Sequence, residues 1–326
     1  MGAFFLPFSF FRALLPFLRA LSKEVFMPKI QKRRRRLAVF AAAMLLVSLL
    51  ALPTGAKTMV SRYPSKVSDI NVKSYPSVPI YVNKGERLPV DGHLINSTTY
   101  IPLRSFFEKY APGAKLTYYA SIRTAELKGE GLTVSARDGS HILYANGRCL
   151  YADTPIRILS DGTMYVPIRM LSKVLSLDVF WSEKYRSVTL SGTPTPLEDG
   201  ATYYSEEDLY WLSRIISAEA RGEPFIGQVA VGNVVYNRKA HPAYPGTVKG
   251  VIFDRQGGVV QFSPVDDGSI WQTPHATSVT AAKVCMEGYT VSDRILFFYA
   301  PSMVSSTWIE RNRPYAFTIG RHDFYY

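Results

Sequence analysis

The sequence predicts an α+β protein in two parts, a β-rich domain built from two related halves and then a small, mainly helical domain. Three observations carry this. The length of 326 residues suits about two domains, at roughly 100–200 residues each. The string Tyr-Ile/Val-Pro-Leu/Ile-Arg occurs twice, at Tyr100–Arg104 and Tyr165–Arg169, each time before a helical stretch, an aromatic strand, a charged turn and a short strand. Beyond a stretch rich in Pro, Gly, Thr and Ser at 191–205, apolar residues recur at helical spacing. With 47% hydrophobic and 20% charged residues, the chain is globular rather than disordered.

Residues 1–56 read as a targeting segment. A basic run, Lys29 to Arg36, precedes an apolar run, Leu37 to Leu52, and then Pro53, Thr54, Gly55 and Ala56. This is the order of an export signal, with translation expected to start at Met27 and the mature chain near Lys57. An uncleaved membrane anchor is the alternative, its basic flank left in the cytoplasm. The net charge is +12, of which residues 1–56 carry +8, leaving +4 for the rest. So mild a balance argues against a nucleic-acid partner. Cys149 and Cys285 lie far apart, and the five histidines show no ligand spacing. No metal, cofactor or disulfide framework is expected, and both cysteines read as buried thiols.

Residues 57–77, polar with Ser, Lys and Pro, read as a linker. The β-rich domain is expected over 78–192. Runs such as "KLTYYAS" and "DVFWSEK" alternate as half-buried strands do. These repeats resemble the copper amine oxidase N-terminal-like domain, a stalk module of exported proteins. The resemblance implies a spacer or wall-facing role. It implies no oxidase chemistry, since no copper-ligand cluster is present.

A second linker, 193–204, leads to a domain over 205–326. Ser205 with Asp208 forms a capping-box pattern that starts a helix. At 100° per residue, Leu209, Trp211, Leu212, Ile215, Ile216 and Ala220 share one arc, with Tyr210, Ser213, Arg214, Ser217 and Arg221 opposite. Glu219 falls in the apolar arc, where a Leu would serve the fold better. Burial raises a carboxyl pKa, and a Glu protonated near neutral pH is a general acid. A buried Glu that only satisfies a structural partner is the competing reading. Glu223 sits between Gly222, which breaks the helix, and Pro224, which suits the next one. Capping or a secondary site role both fit. The second helix carries small residues at Gly227, Ala230 and Gly232 for close packing. Asn233, Asn237 and Arg238 on it reach a sugar or cap its end. Loops carrying Gln261, Phe262 and Ser263, and aromatics further on, suit a carbohydrate groove or an ordinary core and rim.

The strings "IISAEARGEPFIGQVAVGNVVYNR", "QFSPVDDG", "FFYAP" and "IGRHDF" resemble the SleB-type family of spore cortex-lytic enzymes and cell wall hydrolases, over residues 206–326. The resemblance implies a lysozyme-like catalytic domain that cleaves peptidoglycan, with Glu219 catalytic. The expected substrate contacts are Glu223, Gln228, Asn237, Arg238, Gln261, Phe262, Ser263, Tyr299 and His322. Ala300 departs from the Asn often found before that Pro, which puts one polar contact in doubt. The implied chemistry is lytic transglycosylation between N-acetylmuramic acid and N-acetylglucosamine, in the cell wall or spore cortex. A hydrolase, with Glu223 or Asp266 positioning water, is the alternative. So is a non-catalytic wall-binding or spore structural protein. The expected partner is the glycan strand, with the membrane touched only through an uncleaved N-terminus. The second domain is expected to fold and act without the first.

Overall fold

Each copy of the repeat folds as strand, helix, strand, strand. The first runs Thr98–Pro102, α1 (Leu103–Tyr110), Lys115–Tyr119 and Thr124–Gly129; the second runs Met164–Pro167, α2 (Ile168–Val174), Asp178–Ser182 and Ser187–Ser191. The motif prolines explain the switch from strand to helix. Pro102 and Pro167 end the first strands and are the N-cap residues of α1 and α2. Proline has no N–H to extend a ladder, and its fixed φ suits a helix entrance. The two first strands pair antiparallel about Ile101 and Val166, with Tyr100 opposite Pro167 and Pro102 opposite Tyr165. The sequence repeat is thus a local pseudo-twofold. Arg123 and Arg186, in the two charged turns, take equivalent left-handed conformations, at φ 50° and 45°.

The computed structural model describes residues 71–302 and 308–326. The export signal or anchor, Met27 and linker residues 57–70 lie outside them. Three sheets build the β-rich domain. The first runs in spatial order Ser77–Val78, Gly92–Ile95, Thr98–Pro102, Met164–Pro167, Arg157–Ile158. The second runs Arg148–Tyr151, Ile142–Ala145, Leu132–Arg137, Thr124–Gly129, Lys115–Tyr119. The third joins Asp178–Ser182, Ser187–Ser191, Ile80–Val82 and Glu86–Arg87. Inward residues alternate with outward ones, as along Leu132–Arg137. Phe106, Phe107, Ile101, Leu143 and Leu171 fill the core between them.

Parts of both expected linkers pack on the folded domains. Val72 is buried against Tyr100, Leu159 and Tyr165, and Ser77–Val78 is already a strand, so residues 71–77 belong to the domain. The 193–204 segment is a strap rather than a free spacer. Thr195 N donates to Leu175 O at 2.9 Å, Leu197 N to Val174 O at 3.1 Å and Gly200 N to Asn146 O at 2.7 Å.

The helical domain holds α3 (Gly200–Tyr203), α4 (Glu206–Ala220), α5 (Phe225–Ala240), α6 (Val248–Ile252), α7 (Pro264–Asp267), α8 (Ala276–Met286) and α9 (Trp308–Asn312). Its C-terminal sheet orders Phe297–Tyr299, His322–Tyr325 and Tyr315–Ile319. Ser205 caps α4, accepting from Asp208 N at 3.3 Å, and Glu206, Glu207 and Asp208 favour the positive helix end. Asp208 turns its carboxylate to Lys239 at 3.1 Å. Leu212, Ile215 and Ile216 are fully buried, each contributing about 1.5–3 kcal/mol. Ser213 and Ser217, expected on the polar side, are buried as well. The reason is that α4 is central, packed by α5, α6 and α8. Small hydroxyls permit that approach, and Ser217 Oγ accepts from His275 N at 3.1 Å. Gly232 on α5 fulfils its expected role: a Cβ there would lie 2.6 Å from Cys285 Sγ.

The described residues belong to one compact unit, and the two domains share a packed boundary. Strand Arg148–Tyr151 lies on α8. Arg148 donates through Nε and Nη2 to Glu287, at 2.9 and 2.7 Å. Tyr204 OH donates to the same carboxylate at 2.6 Å and accepts from Cys149 N at 3.0 Å. Cys149 is buried in the helical domain's core, and Tyr151 packs on Tyr289 and Phe225. Both cysteines are free.

Candidate active site

Glu219 sits on the last turn of α4, two residues before the helix gives way at Arg221 and Gly222. Its carboxyl is pushed up to about 7. Burial is the largest cause, the negative charge of Asp267 adds to it, and the positive charge of Arg238 opposes both. The negative end of α4 disfavours the anion further. Among the described residues no hydrogen-bond partner reaches this carboxyl. A structural Glu in an apolar setting would be satisfied by donors. One that is held back from ionising by its surroundings has a proton to give near neutral pH.

Asp267 ends α7, exposed on the edge of the site. Its own carboxyl is held below the usual range by Ser269, so it stays charged. From sequence, Asp266, the other acid of the Asp-Asp pair, is the expected one. Asp266 is an exposed partner of Arg255 at 2.6 Å. Only tertiary packing of α7 on α4 distinguishes the two.

Glu223 has a different occupation. Its side chain is 3% exposed, and Arg321 donates to it from the backbone N at 2.8 Å and from Nε at 2.8 Å. Burial alone would raise its pKa, but these bonds and the charges of His322 and Arg321 hold it below the ordinary range. It is an ionised clamp that fastens the C-terminal hairpin to the end of α4. The strings "ARGEP" and "IGRHDF" are therefore two halves of one contact. Gly320 shows how tight it is. Its φ is +63°, and a Cβ there would collide with Glu223 Oε2. Gly320→Ala is expected to cost about 2–4 kcal/mol, combining left-handed strain with the clash. Urea unfolding checks this, and a loss under about 0.5 kcal/mol would show slack in the clamp.

The other predicted contacts divide between scaffold and rim. Gln228 is buried, donating to Glu223 O at 3.2 Å and accepting from Ser278 Oγ at 2.8 Å. Asn237 Nδ2 donates to Ser292 O and Ile295 O, at 3.0 and 2.9 Å, and Arg238 Nε donates to Leu296 O at 2.7 Å. Asn233 binds Tyr289 O and Val291 N in the same loop. These side chains pin the 289–296 loop rather than reach outward. Arg238 keeps one buried nitrogen, Nη1, without a partner, and Tyr244, Phe262 and Phe297 surround its guanidinium. Phe262 is core, Ser263 is exposed and Gln261 is half-buried. Tyr299 is buried, with its hydroxyl on Glu310. His322 is buried beside Phe298, and burial keeps it below its usual pKa. Among the described residues no group of three or more His, Cys, Asp or Glu is placed to hold a metal ion.

Comparison with known proteins bears on both domains. Residues 81–190 match the copper amine oxidase N-terminal domain, and residues 222–325 match the cell wall hydrolase family, a match that begins just beyond Glu219. The spore cortex-lytic enzyme of Bacillus cereus is 36% identical over 121 residues, covering 37% of this chain and 45% of that protein. The Bacillus subtilis enzyme of the same description is also 36% identical over 121 residues, covering 37% of this chain and 38% of that protein. The chain thus spans less than half the length of these curated relatives. The solved catalytic domain of the germination-specific lytic transglycosylase SleB from Bacillus anthracis is 35% identical, covering 40% of this chain and all of that one, with a TM-score of 0.35.

Proposed function

The chain belongs, through its C-terminal domain, to the SleB-type family of cell wall hydrolases and spore cortex-lytic enzymes, and from that premise we propose that it is an exported enzyme cleaving peptidoglycan glycan strands by lytic transglycosylation. The spore cortex, opened at germination, is the expected material. The observation that carries this reading is the state of Glu219, a half-buried carboxyl pushed up to about 7, with no hydrogen-bond partner among the described residues.

One such group suffices for the chemistry. Glu219 gives its proton to the oxygen joining muramic C1 to the next sugar. The C1–O bond breaks, and that sugar leaves with a free hydroxyl. The Glu219 carboxylate then takes the proton of the muramic C6 hydroxyl as O6 bonds to C1. The proton returns to Glu219, a 1,6-anhydro end forms and no water is consumed. Arg238 and Asp267 act on the two halves in opposite senses. The first favours the anion and the second the acid, which supports a carboxyl that serves as both.

Hydrolysis of the same bond is the second reading, and one observation favours it. Asp267 is a second carboxylate near Glu219, and hydrolysing glycosidases use two. Glu223, fully engaged by Arg321, is not a candidate for holding water. Mass spectrometry of the products separates the two. Anhydromuramic ends, lighter by one water, are expected; reducing ends alone would move the mechanism to hydrolysis and keep Glu219. Protein inert on cortex and vegetative wall alike would leave the non-catalytic reading.

The repeat domain is proposed as a wall-facing module carried in fixed geometry by its boundary with α8. Among the described residues no helix is long and apolar enough to cross a membrane.

A further inference from the structure

We infer that Trp271 is the sugar-stacking platform of this site and seats a pyranose ring of the strand whose bond Glu219 breaks. The inference rests on the glycan-cleaving reading above and deepens it.

Trp211, Ile215 and Glu219 are spaced i, i+4, i+8 and so run along one side of α4. The segment from α7 to Trp271 lies along that stripe. At one end Asp267 acts on Glu219. At the other, Trp271 meets Trp211 edge to face, ring centroids 5.5 Å apart. Trp211 and Glu219 are about 12 Å apart along the helix axis, at about 1.5 Å per residue. Ile215 between them is fully buried under that segment, so a sugar on Trp271 lies over the segment's outer edge, beside exposed Asp267, and not on α4 itself.

Trp271 is 59% exposed, although Trp211 beneath it is only 8% exposed. The fold gains little from an indole in that position. Yet the ring is held. Phe253 flanks it at 6.3 Å, and its neighbour Ile270 is fully buried. Trp271 N donates to Gly268 O at 3.2 Å, within the single turn Ser269–Trp271. A fixed, open indole is what a pyranose needs. The C–H face of the sugar is apolar and faintly positive, and the indole face carries the negative side of its quadrupole. A ring already ordered adds affinity without an ordering cost at binding. Asp267, on the same segment, is exposed as well.

The test uses the full chain and soluble glycan fragments of defined length. Trp271→Ala and Trp271→Leu are expected to raise KM about tenfold with kcat within about twofold, because a stacking contact made equally in ground and transition states is uniform binding. Trp271→Tyr restores a flat ring and most of the affinity. Leu still covers Trp211, so its failure isolates the missing flat face from lost packing. In a Glu219→Gln background, which stops turnover, glycan should quench tryptophan fluorescence, and adding Trp271→Leu should abolish the quench. Wild-type activity with unchanged KM in Trp271→Leu overturns this inference alone. Wild-type protein inert on every peptidoglycan overturns the functional reading, and this inference with it.

Discussion

On the glycan-cleaving reading, Glu219→Gln is expected to remove cleavage, lowering kcat by about 10²–10⁴-fold or more, and to leave the fold intact. The loss should exceed that of an ordinary general acid if, as proposed, the same group also returns as base. The amide is nearly isosteric and has no proton to donate. Two pH signatures accompany it. In the wild type, kcat/KM should stay level below pH about 7 and fall about tenfold per unit above it, since only the protonated carboxyl works. Stability should move as well. The folded-state pKa of Glu219 lies above its unfolded value, so between about 4.5 and 7 the folded state keeps a proton that the unfolded state has lost. Stability therefore falls through that window and is level above it. Glu219→Gln lacks this penalty, so it should be more stable than wild type at pH 8 by about 3 kcal/mol, and no more stable at pH 4. Urea unfolding of both proteins at the two pH values checks the sign. Asp267→Asn should shift the alkaline limb of activity to lower pH, because it removes a charge that holds the proton on Glu219. Full activity of Glu219→Gln would sink the assignment.

The sequence revealed what is local. The start of α4 was readable because Ser205 and the acids after it are a capping signal within one turn. The repeat was readable because Tyr-Ile/Val-Pro-Leu/Ile-Arg needs no tertiary knowledge. Glu219 stood out because one helix wheel shows a carboxyl among aliphatic residues. What stayed hidden depends on partners far away in the chain. Asn237 and Arg238 bind carbonyls at 292, 295 and 296, and a carbonyl leaves no mark on a sequence. Ser213 and Ser217 read as surface because hydroxyls usually are, and only the closeness of α8 makes them core. Equivalent strands of the two repeat halves, Lys115–Tyr119 and Asp178–Ser182, join different sheets. That divergence follows from the neighbours each strand meets, not from its own pattern. Asp267 and Trp271 carried little signal because each lies far along the chain from the α4 residue it meets, Glu219 and Trp211 respectively. The available signal was a lone Trp beside a Gly-Ser turn, outside any apolar periodicity.

Glu287→Ala is expected to destabilise the whole chain by about 3–5 kcal/mol, more than the loss of an exposed ion pair could explain. Glu287 is 4% exposed and Arg148 11%, so the pair bridges the two domains with little water. Removing the acid leaves the Arg148 guanidinium buried and uncompensated. It also leaves Tyr204 OH without its acceptor, although that hydroxyl still receives Cys149 N. Most of the cost belongs to the stranded charge and not to the bond itself. A double variant decides between these. Arg148→Met with Glu287→Leu removes both charges and fills similar volume, and such swaps are often neutral or stabilising. It should recover most of the lost stability in urea unfolding. If the double variant is as unstable as Glu287→Ala, the specific bonds at the boundary matter more than the burial of charge. A fragment of residues 200–326 keeps Tyr204 and exposes Glu287 to water, so it strands no charge and should fold. It should nevertheless unfold at lower urea than the same domain in the full chain, because Cys149 and Tyr151 no longer cover its core. A fragment as stable as the intact protein would mean that this boundary contributes nothing.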